Sequence, residues 1–120
     1  MSTQYFNRKV IIEPYNPSWP EKFVREKILI LSALNDKGII IEHIGSTAVP
    51  GLAAKSIIDI MLGVKDLATA NACIPLLETL GYEYVSALEK DFPARRYLHK
   101  GPNLPNKHFH LHIVVVNSPF

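Results

Sequence analysis

Two short segments of the chain concentrate the polar side chains that could do chemistry. The first joins a Gly45-Ser46 pair to Lys55 and to Asp59, which lies inside the apolar run 57–64. A carboxylate is expensive to bury unless it is paired, hydrogen-bonded or metal-bound, so Asp59 needs a partner or a ligand. Backbone amides after a Gly-Ser turn favour an anion, so Gly45, Ser46 and Lys55 could hold a phosphate. The alternative interpretation is an ordinary tight turn with a satisfied hydroxyl.

The second segment is His108-Phe109-His110-Leu111-His112, in which imidazoles alternate with apolar side chains. Successive side chains of a strand point to opposite faces, so the pattern predicts three histidines on one face. Two of them could hold a metal through ring nitrogens, and a transition metal such as Zn²⁺ suits them better than Mg²⁺. If His110 or His112 faces Asp59 across the sheet, a mixed metal site results. Surface histidines or hydrogen-bonded core histidines are the alternative.

Further candidate residues flank these two segments. Glu42 could supply a second carboxylate, and His43 could join the same cleft. Arg95 and Arg96 could reach a phosphate, because a planar guanidinium donates two parallel hydrogen bonds. Adjacent strand residues point to opposite faces, so we expect only one of the two arginines in a cleft. Solvent-facing positions are the alternative for Glu42 and both arginines, and His108 remains a further candidate.

The elements predicted around these residues should place them on one sheet. Runs of β-branched and aromatic residues bounded by turn residues predict strands. The predicted strands are 9–13, 39–44, 57–64, 82–85, 94–99 and 108–116, with a turn at 101–106 between the last two.

Two segments with helical periodicity predict helices. The first runs from Ser18 to Asn35 and starts with a capping box formed by Ser18 and Glu21. Its predicted buried residues are Phe23, Val24, Ile28, Leu31 and Leu34. The second runs from an Asp66 cap to Leu80, before Gly81, and Pro75 should kink or split it. Its predicted buried residues are Leu67, Ala70, Ile74, Leu77 and Leu80.

Size and composition limit the class of protein. A chain of 120 residues suits one domain, which we assign to 9–120 after a flexible tail at 1–8. The net charge of +2 argues against a nucleic-acid scaffold or a membrane-surface protein. Cys73 is the only cysteine, so an internal disulfide is excluded. No apolar stretch approaches the roughly 20 residues that cross a bilayer, and these features together predict a cytoplasmic protein.

The segment from Val10 to Val64 resembles the GrpB family, which belongs to the nucleotidyltransferase superfamily. The resemblance is carried by Ile12-Glu13-Pro14-Tyr15-Asn16-Pro17-Ser18-Trp19-Pro20 and by His43-Ile44-Gly45-Ser46-Thr47-Ala48-Val49-Pro50-Gly51-Leu52-Ala53-Ala54-Lys55, and it extends to Leu80-Gly81-Tyr82 and His110-Leu111-His112. It implies an α+β, nucleotidyltransferase-like fold, in which helices cover a mixed sheet. Family members are usually longer, so we expect a chain truncated at its C-terminus. Val114 to Val116 would then form an exposed edge strand that favours self-association into a homo-oligomer.

The resemblance also implies a nucleotide site with Asp59 as its candidate catalytic residue. The superfamily places two carboxylates two residues apart on this strand to bind Mg²⁺, but the second position here is Met61. A thioether hardly binds Mg²⁺, which counts against efficient nucleotidyl transfer. We therefore expect binding of a nucleotide or another phosphorylated small molecule, with a divalent metal such as Mg²⁺ or Zn²⁺. The alternatives are a non-catalytic regulatory module and a transition-metal protein that uses Asp59 with His108, His110 and His112.

Overall fold

The computed structural model describes residues 12–38, 40–101 and 108–116. Within these ranges the α-helices are α1 (Ser18–Leu34) and α2 (Leu67–Glu78). The strands are β1 (Ile40–Ile44), β2 (Ile57–Val64), β3 (Glu83–Val85), β4 (Arg96–Lys100) and β5 (His108–Val115), and two 3₁₀ turns cover Ser46–Ala48 and Ser86–Lys90. The α+β class that the sequence predicts is confirmed. None of the helices in these ranges is long and apolar enough to cross a membrane.

The strands form one mixed sheet in the order β1-β2-β5-β4-β3. β5 runs parallel to β2, whereas the β1–β2, β5–β4 and β4–β3 pairs are antiparallel. The prediction that the strand leading to Val116 lies at an exposed edge is wrong, because β5 is the middle strand between β2 and β4. Both edges of this apolar strand are therefore hydrogen-bonded to neighbouring strands.

Both helices pack on one face of the sheet, where the apolar core lies. Alternate residues of β2 and β5 point into this core and are fully buried, among them Ile60, Leu62, Leu111 and Ile113. The remaining residues point to the opposite face, against which neither described helix packs. We call this second surface the open face; it carries Asp59 and Met61 from β2, Tyr97 and His99 from β4, and His110 and His112 from β5.

Helix α1 begins where the sequence predicts, but its cap and its buried side differ. Pro17 occupies the N-cap position, and the Asn16 Oδ1 atom accepts the Ser18 amide at 2.8 Å, so the predicted capping box is absent. The predicted buried face is only partly confirmed, because Leu34 is buried and Phe23 packs against the core but the other three predicted residues are exposed. The buried residues are Trp19, Glu26, Ile30 and Leu34, while Val24, Ile28 and Leu31 are 51%, 58% and 41% exposed. Because apolar residues occur on several sides of α1, periodicity alone does not select one.

Helix α2 has the predicted cap, since the Asp66 side chain accepts the Thr69 amide at 2.7 Å. The predicted break is wrong, because the helix continues through Pro75. Pro75 deprives only the Asn71 carbonyl of its donor, and both residues are exposed, so water can replace that bond. Its buried residues are Ala70, Cys73 and Leu77; Ile74 and Leu80 pack beside them, and Leu67 is exposed.

Other predicted elements fall partly or wholly outside the described residues. The tail at 1–8 and most of the turn at 101–106 lie outside them, as do residues 9–11 of the first predicted strand. In the described part of that strand, Glu13 and Ala54 form an isolated antiparallel bridge with two hydrogen bonds of 2.9 Å. This bridge anchors the segment before α1 next to the start of β2.

Candidate functional site on the open face of the sheet

Asp59 lies at the centre of the open face. Directly opposite residues of paired strands share a face, and Asp59 lies opposite His110 on β5, while Met61 lies opposite His112. The Asp59 Oδ1 atom is 3.6 Å from His110 Nδ1 and 3.9 Å from His112 Nε2. About one third of each of these three side chains is exposed. The structure therefore brings the two predicted segments together in a position that a ligand can reach.

The two imidazoles hold Asp59 in its ionised form. Burial acts to raise the pKa of this carboxyl, but the neighbouring His110 and His112 imidazoles outweigh it and lower the pKa to about 2. At neutral pH the centre of the open face is thus a fixed negative charge flanked by two imidazole rings.

We expect this depressed pKa to make the protein's stability depend on Asp59 in acid. A carboxyl whose folded-state pKa lies below its ordinary value of 3.8 stabilises the fold above that value. The contribution disappears as the pH falls through about 2. Wild type should therefore lose about 2 kcal/mol of unfolding free energy between roughly pH 5 and 2 that Asp59→Asn does not lose. Urea unfolding across this range measures it, with the exposed Asp91→Asn as control; equal pH slopes for all three proteins would contradict the prediction.

The Gly45-Ser46 turn lies against Asp59. Gly45 has φ +76° and ψ −169°, a conformation that glycine alone adopts readily. A Cβ atom placed on Gly45 would lie 2.6 Å from Asp59 Oδ2, so the turn approaches as closely as the missing side chain allows. The exposed Ser46 then starts the 3₁₀ turn Ser46–Ala48. The turn and the carboxylate consequently border the same stretch of surface.

Glu42 and His43 lie on opposite faces of the sheet. Glu42 pairs with Met61, so it is on the open face, diagonal to Asp59. His43 pairs with the buried Ile60, and its ring stacks on Phe23 of α1 with the ring centroids 5.1 Å apart. Burial lowers the pKa of His43, although the charge of Asp59 partly opposes this. His43 is thus beneath the turn and does not project from the open face with Asp59.

The three predicted basic residues differ in their surroundings, and Arg96 is on the face of the sheet opposite Asp59. Arg96 lies on the helix face, where it donates to Asn71 Oδ1 at 2.8 Å and to the Pro93 and Arg95 carbonyls, and it is 3.6 Å from Glu89. The exposed Arg95 packs over the ring of Phe92, 5.2 Å from its centroid. Lys55 is exposed in the loop before β2. Arg96 therefore supports the fold on the side away from the candidate site.

Comparison with known proteins establishes the family. The family model described as GrpB protein matches residues 9–120. The chain belongs to the GrpB family. It is 43% identical over 97 residues to UPF0157 protein BH1888 of Halalkalibacterium halodurans, a match that covers 81% of this chain and 49% of that protein. The crystal structure of conserved protein GrpB from Enterococcus faecalis superposes with a TM-score of 0.78 at 38% identity, covering 90% of this chain and 63% of that one.

A further relative is embedded in a larger protein. A dephospho-CoA kinase of Mycolicibacterium paratuberculosis is 34% identical over 122 residues, covering 92% of this chain but only 30% of that protein. The chain thus spans about half or less of the length of these curated relatives. The GrpB resemblance proposed from the sequence is confirmed.

The GrpB open face also carries two residues that sequence reasoning missed. The Tyr97 ring centroid is 5.1 Å from that of His112 and 5.6 Å from that of His110, and His99 Nε2 is 2.7 Å from Glu83 Oε1. Burial and the charge of Asp59 raise the pKa of Tyr97, so its hydroxyl stays protonated. Tyr97 and His99 are two residues apart on a predicted strand, so the sequence could have indicated that they share a face. Tyr97 and His99 extend the histidine cluster across β4.

The donor set of this GrpB site fits a transition metal better than Mg²⁺. Mg²⁺ requires near-octahedral oxygen ligands, whereas the residues around Asp59 Oδ1 supply two imidazole nitrogens and, two positions along β2, a thioether. Within the described residues, no group of three or more His, Cys, Asp or Glu side chains is arranged to hold a metal ion. The side chain of His108 lies outside that part of the structure. The described side chains around Asp59 therefore offer fewer than three such ligands for a metal ion of either kind.

Proposed function

We propose that the open face around Asp59 binds a phosphorylated small molecule, in the first place a nucleotide, and that it binds without efficient transfer. The observation that carries this proposal is the convergence of the ionised Asp59, the Gly45-Ser46 turn and two imidazoles on one exposed surface. Such a mixture of a carboxylate, nitrogen bases and a tight turn is suited to an anion that arrives with its own cation.

The charges of the site favour a ligand that carries both signs. A bare phosphate beside Asp59 would be repelled, since the pKa of about 2 keeps this carboxylate charged at neutral pH. A nucleotide complexed with Mg²⁺ removes the conflict, because its metal can face Asp59 while its phosphate oxygens face the imidazoles. His110 and His112 can then donate to phosphate through their N–H groups. In this arrangement the metal belongs to the ligand and needs no preformed protein cage.

The position of Met61 argues for binding over transfer. Met61 lies between Glu42 on β1 and His112 on β5, in the row beside Asp59. The resemblance to nucleotidyltransferases implies a second carboxylate at this position, and the methionine found there cannot share a hard metal with Asp59. Glu42 is the carboxylate on the same face that could replace it from the neighbouring strand. A nucleotide bound here would lack the paired carboxylates that activate the acceptor.

One of the GrpB relatives supports the ligand class. The mycobacterial protein that contains a matching segment is named as a dephospho-CoA kinase, and kinases bind nucleotides. The matched segment is 30% of that protein, so the name describes a larger molecule. It places a segment like this chain in the same polypeptide as an enzyme of phosphorylated ligands.

Calorimetric titration tests the proposal. We expect heat on adding at least one of the common nucleoside triphosphates with excess Mg²⁺. Ser46→Ala should weaken this binding by roughly fivefold, since one hydrogen bond contributes about 1 kcal/mol. Asp59→Asn should weaken it by at least tenfold, because the ligand's metal loses a charged oxygen. The matched controls are Ser86→Ala, an exposed serine of the second 3₁₀ turn, and Asp91→Asn.

The same titrations decide against the proposal if it is wrong. No heat with any triphosphate, or equal losses of affinity for Ser46→Ala and Ser86→Ala, would rule out nucleotide binding at this surface.

The second candidate, a transition-metal site, is favoured by the two ring nitrogens within 4 Å of Asp59 Oδ1. It requires heat from Zn²⁺ alone, abolished by His112→Ala and retained by His99→Ala. A metal-only response would replace the nucleotide proposal with this one.

A further inference from the structure

Thr47 is a buried polar residue inside an exposed turn. Thr47 is 2% exposed, whereas Gly45 and Ser46 lie at the surface. Its hydroxyl makes two hydrogen bonds, one to His43 Nε2 at 2.9 Å and one to the Ile57 carbonyl at 3.0 Å. A buried hydroxyl with two short bonds is well placed to fix the position of the backbone that carries it.

The chemistry of the two bonds assigns their directions. A carbonyl only accepts, so the Thr47 hydroxyl uses its single hydrogen for Ile57. The oxygen of Thr47 must then accept from His43, and His43 Nε2 must carry a hydrogen. Burial lowers the pKa of His43, which fits a neutral ring protonated on Nε2. Stacking on Phe23 with an interplanar angle of 18° holds the ring in the required orientation.

These hydrogen bonds lie next to the point where Gly45 contacts Asp59. Thr47 follows Gly45 by two residues, and Ile57 precedes Asp59 by two residues on β2. The bond from Thr47 to Ile57 thus joins the turn to the strand immediately beside the point where Gly45 meets Asp59. His43 joins the same hydroxyl to β1 and, through Phe23, to α1.

We propose that His43 and Thr47 form a latch that positions the Gly45-Ser46 turn against Asp59. Both are positioning residues, which act on the site through the turn and touch no ligand. The consequence for ligand affinity rests on the proposed function. The latch itself exists without ligand, so it can be tested even if no nucleotide binds.

The matched pair Thr47→Val and Thr47→Ser tests the latch. Valine keeps the volume but removes the hydroxyl, and serine keeps the hydroxyl. The amides of Ala48 and Val49, which bond to the Gly45 and Ser46 carbonyls at 3.1 Å, report on the turn by hydrogen exchange. We expect Thr47→Val to speed their exchange about tenfold with α2 amides unchanged, and Thr47→Ser to keep it within about threefold of wild type. Nitrogen-15 shifts of His43 should show a protonated Nε2 in wild type and in Thr47→Ser.

A second variant keeps the test decisive if Thr47→Val unfolds. His43→Phe preserves a ring against Phe23 and leaves the Thr47 bond to Ile57, so it should loosen the same amides without unfolding the sheet. Unchanged turn exchange in His43→Phe and in any folded Thr47→Val, or an Nε2 without its hydrogen in wild type, would overturn the latch. If wild type binds the Mg²⁺ complex of ATP, the affinity of Thr47→Val should fall about tenfold and that of Thr47→Ser should not. If wild type binds no nucleotide, the proposed function fails. The latch is then still tested by amide hydrogen exchange in the turn and by the nitrogen-15 shifts of His43.

Discussion

Gly45→Ala is expected to lower the free energy of unfolding by about 3 kcal/mol and to turn Asp59 away from its histidines. Two physical effects combine at this position. The backbone has φ +76° and ψ −169°, a region that costs a residue with a side chain roughly 1–3 kcal/mol. The new methyl group would also lie 2.6 Å from Asp59 Oδ2 and 3.2 Å from its Cβ. Rotating the carboxylate relieves only the first contact, so the turn or the strand must also move.

The chain offers a matched control in Gly51→Ala. Gly51 also has a positive φ, +83°, but an added Cβ would meet no atom of the described ranges within 4 Å. That variant should lose only about 1 kcal/mol from backbone strain. The difference between the two variants measures the contact with Asp59, by urea unfolding at neutral pH. The carbon-13 chemical shift of the Asp59 carboxylate then shows whether this group has moved. Equal stability losses with an unchanged Asp59 shift would mean that the turn does not press on Asp59.

The alternation of side chains made the sheet the most predictable part of this molecule. The predicted strand 57–64 coincides with β2, because a lone carboxylate in a β-branched run leaves little ambiguity about its period. The histidine segment forms β5 for the same reason. That β5 lies beside β2, in parallel and in a register that sets His110 opposite Asp59, is a long-range property. From the sequence alone, a site shared by Asp59 and the histidines could be predicted only if the two strands happened to face each other in this way.

The direction of single residues was harder to predict, because a shift of one residue exchanges the two faces of a strand. Glu42 and His43 are neighbours on β1, and only the pairing of Glu42 with Met61 shows which of them shares the face of Asp59. Arg96 was a candidate for phosphate binding, yet it lies among the helix-face partners of β4. In each case the deciding contact comes from a segment distant in sequence.

The buried side of α1 was predicted only in part because a charged residue is buried there. Glu26 is 4% exposed, although sequence statistics place glutamate at the surface. Its oxygen Oε2 accepts from the Tyr82 hydroxyl at 2.8 Å and contacts the Lys100 ammonium. Tyr82 and Lys100 are distant from Glu26 along the chain, so no local sequence pattern indicated this pairing. The pairing turns Val24, Ile28 and Leu31 towards solvent.

Glu26→Ala is consequently expected to destabilise the fold by about 3 kcal/mol. Removing the carboxylate leaves the buried Tyr82 hydroxyl without its acceptor and the Lys100 charge without its counterion. The side chain of Lys100 is 19% exposed and lies over the Tyr82 and Phe109 rings, so partial access to water keeps the loss at the lower end for a broken buried pair. Urea unfolding measures the change at neutral pH.

Glu21→Ala provides the control on the same helix. Glu21 pairs with Arg25 at 4.0 Å, but both side chains are more than two thirds exposed, so its removal should change stability by less than about 0.5 kcal/mol. Glu26→Gln should fall between the two, because an amide can still accept from Tyr82 but cannot neutralise Lys100. If Glu26→Ala were as mild as Glu21→Ala, the buried network could not be what orients α1. The apolar packing of Trp19, Ile30 and Leu34 alone would then have to select the buried side of the helix.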